Sequence, residues 1–216
     1  MRLGILGGGG LGREVLVLAR QINSAGRWSE IFIIDDFIAA KEMQGVKVVR
    51  SSEAVYDDVE LVIAIGEPSV RETLAKQFIT KCPLATLIHP QVFIPEDTKI
   101  SAGCIIFPGV FISCNVTLGD NCIVQAQSVI AHDCTIGAHT VFASHVTLAG
   151  RCRLGERVFL GMSCAVKENT EIGNDVIIGM GAMVFTAISD RSIARGNPAV
   201  VTVNELCRKV FNSRNE

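Results

Sequence analysis

Every sixth residue from Ile94 to Val184 is large and apolar. The series runs Ile94, Ile100, Ile106, Ile112, Leu118, Val124, Ile130, Ile136, Phe142, Leu148, Leu154, Leu160, Val166, Ile172, Ile178 and Val184. Where about half of all positions are apolar, an unbroken run of this length is very improbable by chance. Two positions before each of these, the residue is mostly small or β-branched, as at Val110, Val116, Ser128, Thr140, Val146, Thr170 and Ala182. Five cysteines, Cys104, Cys122, Cys134, Cys152 and Cys164, fill that same slot. A period of six with two inward positions predicts short strands separated by turns. Gly119, Gly137, Gly155 and Gly173 recur every eighteen residues, where sharp bends are expected. Three hexads then make one coil with three flat faces, stacked about 4.8 Å from the next. Roughly five coils fit between residues 94 and 185. Each face pairs its backbone with the coils above and below, so few edges remain.

A different pattern precedes the repeat. A strand at Arg2–Leu6 runs into Gly7-Gly8-Gly9-Gly10-Leu11-Gly12, followed by a helical pattern over Arg13–Ile22. Gly7, Gly9 and Gly12 satisfy G-x-G-x-x-G between strand and helix, a loop whose backbone N–H groups can approach a pyrophosphate. A second strand, Glu30–Ile34, ends in Asp35-Asp36, and a third, Leu61–Ile65, ends in Gly66. Ligands bind beyond the carboxyl ends of parallel strands, which makes these three ends one candidate pocket. The alternative is a glycine-rich turn with no ligand. Only about 85 residues precede the repeat, enough for one mononucleotide half, so a UDP- or TDP-type nucleotide fits better than NAD. After Val184 the period breaks. Gly196-Asn197-Pro198-Ala199 reads as a turn, and Val203, Leu206, Cys207, Val210 and Phe211 form an apolar helical stripe expected to cap the solenoid.

Composition narrows the function classes. The chain of 216 residues is 49% hydrophobic but only 6% aromatic, which suits many small repeated apolar layers. A net charge of -2 offers no basic footprint for nucleic acid and no polybasic membrane patch. No apolar run approaches the ~18 residues of a spanning helix, and no secretory signal is visible, so a soluble cytoplasmic protein is expected. No cysteine lies in a C-x-x-C pair, and core packing explains the thiols better than disulfides or zinc.

Outward positions of the repeat carry little ionisable chemistry apart from histidines. His132 is followed by Asp133, and Gly150 comes eighteen residues later, so a small residue stacks beside His132 in the next coil. That leaves a backbone N–H next to a base, as a thioester carbonyl and a nucleophile require. An imidazole near its unperturbed pKa of ~6.5 suits a general base. Asp133 can raise its basicity only if the chain turns there, because adjacent strand residues point to opposite sides. The competing reading groups His132, His139 and His145 as a surface metal site.

These residues carry a specific resemblance. Ser128–Gly137, Ala149-Gly150, Gly196–Ala199, the opening glycine loop, Ile34-Asp35-Asp36 and Ile63–Gly66 resemble the bacterial hexapeptide-repeat sugar O/N-acetyltransferases typified by NeuD, PglD and VioB. The resemblance implies a left-handed parallel β-helix with an N-terminal Rossmann-like α/β domain. It further implies a homotrimer with active sites between subunits, and acetyl-CoA as donor. It makes His132 the base toward the sugar amine, with Asp133 as its partner. The Gly150 amide would hold the acetyl carbonyl, and Met162 and Met180 would line the CoA groove. Gly9, Gly10, Asp35, Asp36 and Gly66 would hold the nucleotide. Leu11, Gln125 and Val141 stand where relatives carry a histidine, an asparagine and a histidine, which bears on the acceptor more than on the reaction.

The resulting expectation divides the chain into a nucleotide-sugar-binding domain (1–88), a β-helix acetyltransferase domain (89–190) and a C-terminal turn and capping helix (191–216). The expected activity is acetyl-CoA-dependent N-acetylation of the 4-amino group of a UDP- or dTDP-linked amino-deoxy sugar. Its setting would be surface glycan synthesis such as lipopolysaccharide O-antigen, with no metal. Alternatives are O-acetylation of sialic acid or another sugar, an NAD-dependent oxidoreductase, and a non-catalytic β-helix scaffold.

Overall fold

The computed structural model describes residues 1–203 and 209–211. β1 (Arg2–Leu6) leads into α1 (Gly10–Ile22), then β2 (Ile31–Ile34), β3 (Glu42–Met43), β4 (Val46–Val49), β5 (Val59–Ile63) and α2 (Pro68–Phe78). β4, β2, β1 and β5 lie in that order as a parallel sheet, and β3 closes the β4 edge as an antiparallel hairpin. The register sets Leu6 level with Ile34 and Ile63, so three strands end along one line. α1 buries Val15, Leu16, Leu18 and Ala19, an i, i+3, i+4 stripe, against this sheet. A Cβ on Gly12 would fall 2.0 Å from the Gly7 carbonyl oxygen, so only glycine lets the helix meet the strand end.

Residues from Leu87 onward wind into a three-sided parallel β-helix built from two-residue strands. The first face stacks Lys99–Ile100, Thr117–Leu118, Thr135–Ile136, Arg153–Leu154 and Glu171–Ile172. The second runs from Leu87–Ile88 through Ile105–Ile106, Ile123–Val124, Val141–Phe142, Phe159–Leu160 and Ile177–Ile178 to Ser192–Arg195. The third stacks Phe111–Ile112, Val129–Ile130, Thr147–Leu148, Ala165–Val166 and Met183–Val184. Register shifts are eighteen residues from Leu87 to Val184, as at Ile130↔Leu148, and shorten to sixteen in the last coil, at Ile177↔Ile193. From Ile106 to Val184 every sixth apolar residue is buried, while Ile94 and Ile100 pack partly buried at the open end.

The slot two residues earlier is also buried, and its chemistry has a reason. Cys104, Cys122, Cys134 and Cys152 each point a thiol at the carbonyl fifteen residues on, at 3.1–3.3 Å. Ser128 and Thr140 donate to Ala143 and Gly155 at the same spacing. The slot therefore favours a small side chain, often one with a donor for a corner carbonyl. Burial pushes the Cys164 thiol up to about 12, which keeps it unreactive.

The corners correct one expectation. Sharp bends fall not at Gly119, Gly137, Gly155 and Gly173 but at positive-φ residues every six positions: Asn115, Asn121, Gln127, Asp133, His139, His145 and onward. The four glycines are needed for close approach instead. A Cβ at Gly137 would lie 2.4 Å from the backbone of Gly155, one coil up. Asn, Asp and His tolerate the left-handed conformation better than most side chains, which is why the corners can carry polar chemistry.

The N-terminal sheet and α1 pack on the outer side of the second face, where Ile105, Ile123 and Val141 join one apolar cluster with Leu3, Val15 and Leu18. Fully buried Arg71 of α2 crosses this junction. It donates to the carbonyls of Ile65 (3.0 Å) and Asn121 (2.7 Å), to Asn121 Oδ1 and to the Ile63 carbonyl. At the other end, Gly196–Ala199 forms a turn and Val200–Val203 returns antiparallel to Ser192–Arg195. Val203 thus ends a strand rather than opening a helix. Its β-branched run, Val200-Val201-Thr202-Val203, favours the extended chain. Leu206 and Cys207 lie outside the described residues. Phe211 rests against Gly66 and meets the Phe159 ring edge-on at 5.6 Å, beside the N-terminal domain rather than over the end of the coils. No helix among the described residues is long and apolar enough to cross a membrane.

Candidate active site

His132 follows the strand Val129–Ile130 and stands at the corner between the third and first faces. Asp133 has φ 62°, so the chain does turn there, and its carboxylate swings back toward the ring of its neighbour. Asp133 Oδ2 lies 2.7 Å from His132 Nδ1. The other oxygen, Oδ1, accepts a 2.7 Å hydrogen bond from Asn115 Nδ2, one coil below. The Asn115 bond, then the His132 bond and the charge of Arg151, hold the Asp133 carboxyl below the usual carboxylate range. A carboxylate on Nδ1 selects the tautomer protonated there and leaves Nε2 with its lone pair.

Nε2 faces Gly150. A Cβ at that glycine would fall 2.7 Å from both His132 Nε2 and Cε1, so the ring occupies the space a side chain would need. The coils are locked at this point by the 2.9 Å bond from Arg151 N–H to the His132 carbonyl. The Gly150 N–H itself has no acceptor among the described residues. His132 and Asp133 are about half exposed, with 47% and 43% of their side chains accessible. An imidazole held by a carboxylate, beside a backbone amide, suits proton removal from a nucleophile that attacks a carbonyl.

The three strand ends of the N-terminal sheet also converge as expected. Gly7 has φ 104° and donates to the Ile34 carbonyl, while Gly8 N–H donates to Asp35 Oδ2 at 2.8 Å. Asp35 Oδ1 accepts from the N–H groups of Phe37 and Ile38. Asp36 accepts from Ser51 N–H (2.8 Å) and Oγ (2.7 Å), which hold its carboxyl below the ordinary range. Both acids therefore hold the loops at these strand ends in place. Space is open beside Gly9 and Gly10, where no atom lies within 4 Å of a built Cβ. Leu11 packs toward the interdomain core, and Gly66 lies under the Phe211 ring.

Other residues stand apart. Gln125, Met162 and Met180 all occupy the corner between the second and third faces. Gln125 lines a cavity of about 300 Å³ between α1 and the coils, together with Glu14, Gln21 and Ser144. His132 and Gly150 lie across the third face from this corner. Within one chain, then, the predicted site residues on the coils split into two groups along opposite edges of a face. The histidines diverge as well. His139 and His145 sit at the other two corners, and His139 Nδ1 pairs with Asn121 Nδ2 at 3.1 Å, where burial lowers its pKa. Val141 is buried between the domains. Sequence reasoning missed Asn115 and Arg71. Asn115 had a signal, since it precedes Asp133 by one full coil, whereas nothing in the sequence pairs Arg71 with Asn121.

Comparison with known proteins bears on the family and the fold. The PglD N-terminal domain family model matches residues 2–78. The bacterial transferase hexapeptide model (six repeats) matches residues 97–131, 115–150 and 151–186. PerB from Caulobacter crescentus, solved with CoA and GDP-perosamine, is 28% identical, with 94% of this chain and 97% of that one covered and a TM-score of 0.82. Together these matches span most of the chain and show a hexapeptide-repeat sugar acetyltransferase. WeeI from Acinetobacter baumannii AYE resembles this acetyltransferase over 94% of this chain and 100% of its own, at 25% identity and a TM-score of 0.87. The acetyltransferase domain of PglB from Neisseria gonorrhoeae FA1090, solved with acetyl coenzyme A, shares the fold at 24% identity and a TM-score of 0.85, covering 92% of this chain and 98% of that one. No curated protein sequence matches the acetyltransferase.

Proposed function

We propose that this acetyltransferase moves the acetyl group of acetyl-CoA to the 4-amino group of a UDP- or dTDP-linked amino-deoxy sugar, in the cytoplasm, for a surface glycan such as O-antigen. The observation that carries the reading is the His132 ring, held by Asp133 at 2.7 Å and laid over the Gly150 backbone. His132 Nε2 takes a proton from the sugar amine as its nitrogen attacks the thioester carbonyl. The Gly150 N–H donates to the oxyanion, the C–S bond breaks, and the proton on His132 returns to the CoA sulfur. Amine and thioester become amide and thiol with no covalent enzyme intermediate, and holding the two substrates together supplies much of the acceleration.

The nucleotide would lie on the bare backbone of Gly9 and Gly10, beside Asp35, Asp36 and Gly66, within residues 1–88. Residues 89–190 would supply the chemistry, and 191–216 would close the chain. PerB, bound to GDP-perosamine, supports a nucleotide-linked amino sugar as the acceptor class. Because Gln125, Met162 and Met180 lie across a face from His132 and Gly150, one complete site needs two chains. That separation supports a homotrimer whose active sites fall between subunits. O-acetylation of sialic acid or another sugar is the rival reading.

The test is calorimetric titration with UDP, dTDP and CMP, followed by a thiol-release assay with 4-amino and hydroxyl acceptors. Binding of UDP or dTDP and CoA release with the amino sugar would support the proposal. CMP binding alone, or release only with hydroxyl acceptors, would favour the rival.

A further inference from the structure

We infer that Asn115 is a positioning residue for the His132–Asp133 pair, acting on the base from one coil below. This rests on the reading of His132 as the base. The three side chains form a continuous series: Asn115 Nδ2 to Asp133 Oδ1 at 2.7 Å, then Asp133 Oδ2 to His132 Nδ1 at 2.7 Å.

The corner geometry explains why a third member is needed. Asp133 is exposed, and a lone carboxylate there rotates freely about its last bond, presenting either oxygen to the ring or to water. A donor on Oδ1 removes that freedom and leaves Oδ2 for Nδ1, which fixes both the ring orientation and its tautomer. Asn115 can supply this donor because residues eighteen apart stack at the same corner. The column there reads Asn115, Asp133, Arg151, Asn169, each with φ near 60°. Its members pair in twos: Asn115 with Asp133, and Arg151 Nε with Asn169 Oδ1 at 2.8 Å. The Arg151 guanidinium is thereby engaged upward. It acts on Asp133 only through its charge, and the direct hydrogen bond to Oδ1 falls to Asn115. Among the described residues, Asn115 and Arg151 are the other groups that act on the pair along this edge.

The experiment compares Asn115→Gly and Asn115→Asp with the wild type by steady-state kinetics across pH. Glycine takes positive φ without strain, so the first variant removes the amide and leaves the corner intact. We expect kcat to fall about tenfold with the KM for acetyl-CoA unchanged, since a misoriented base costs turnover rather than binding. The acidic limb of kcat/KM should move to lower pH, because a loosened carboxylate stabilises the charged imidazole less. Asn115→Asp keeps the shape but adds a second carboxylate. Here kcat should also fall while the acidic limb moves to higher pH. Opposite displacements separate positioning from structural damage, which would lower turnover without moving the limb. Wild-type kcat and limb in Asn115→Gly, or a fall in both variants with a fixed limb, would overturn the inference. If His132→Ala keeps full turnover, the base assignment itself fails, a result distinct from either.

Discussion

The His132 ring fills the space that a side chain on Gly150 would need: a methyl group there would lie 2.7 Å from Nε2. The obstruction is the far end of a flexible side chain, so the fold can relieve it by turning the ring away. Gly150→Ala should therefore keep its thermal midpoint within about 3 °C of wild type yet lose roughly 10²-fold in kcat. Thermal unfolding and thiol release on the same preparation check both halves.

Asp133→Asn removes the charge that faces Nδ1. The Asp133 carboxyl is held low by Asn115 first and His132 second, so its contribution is complete above the ordinary carboxylate range and lost only as pH falls through the depressed value. Near neutrality it stays charged, and the acidic limb of activity reports the imidazole. Without that carboxylate the ring binds its proton less tightly. The limb should move to lower pH, and kcat should fall by about 10-fold to 10²-fold.

Arg71 is fully buried, and its acceptors are carbonyl oxygens from both domains. Burial pulls its guanidinium down to about 10, still charged near neutrality. Arg71→Met would strand the carbonyls of Ile63, Ile65 and Asn121 at the junction. A loss of about 3 kcal/mol or more is expected in denaturant unfolding, from hydrogen bonds to a charged donor worth ~1.5–3 kcal/mol each.

Glu67 Oε2 accepts the N–H groups of Val210 (2.9 Å) and Phe211 (3.2 Å), which seats the Phe211 ring on Gly66. Glu67→Ala should speed amide exchange at those two residues by about tenfold, the factor that ~1.4 kcal/mol sets. Hydrogen-exchange mass spectrometry of the C-terminal peptide reads this directly.

How far the sequence carries depends on whether the repeat defines the neighbour. The apolar beat from Ile94 to Val184 shows the coil because each coil repeats the same problem of filling a triangular core. Once eighteen residues make a coil, Gly150 falls beside His132, and Asn115 beside Asp133, by counting alone. Spacing alone sets the bends at the glycines, because a glycine serves close approach as readily as positive φ, and composition does not separate the two uses. Arg71 lay beyond counting, since its partner Asn121 belongs to another domain with no shared period. The division of Gln125 from His132 across the third face emerges only when both corners are placed in space.

The most direct test of the account is the turnover of His132→Ala, read as thiol release from acetyl-CoA with an amino-sugar nucleotide acceptor, alongside CoA affinity by calorimetry. The account predicts a fall in kcat of ~10²–10⁴-fold with CoA binding close to wild type. Undiminished turnover would contradict it.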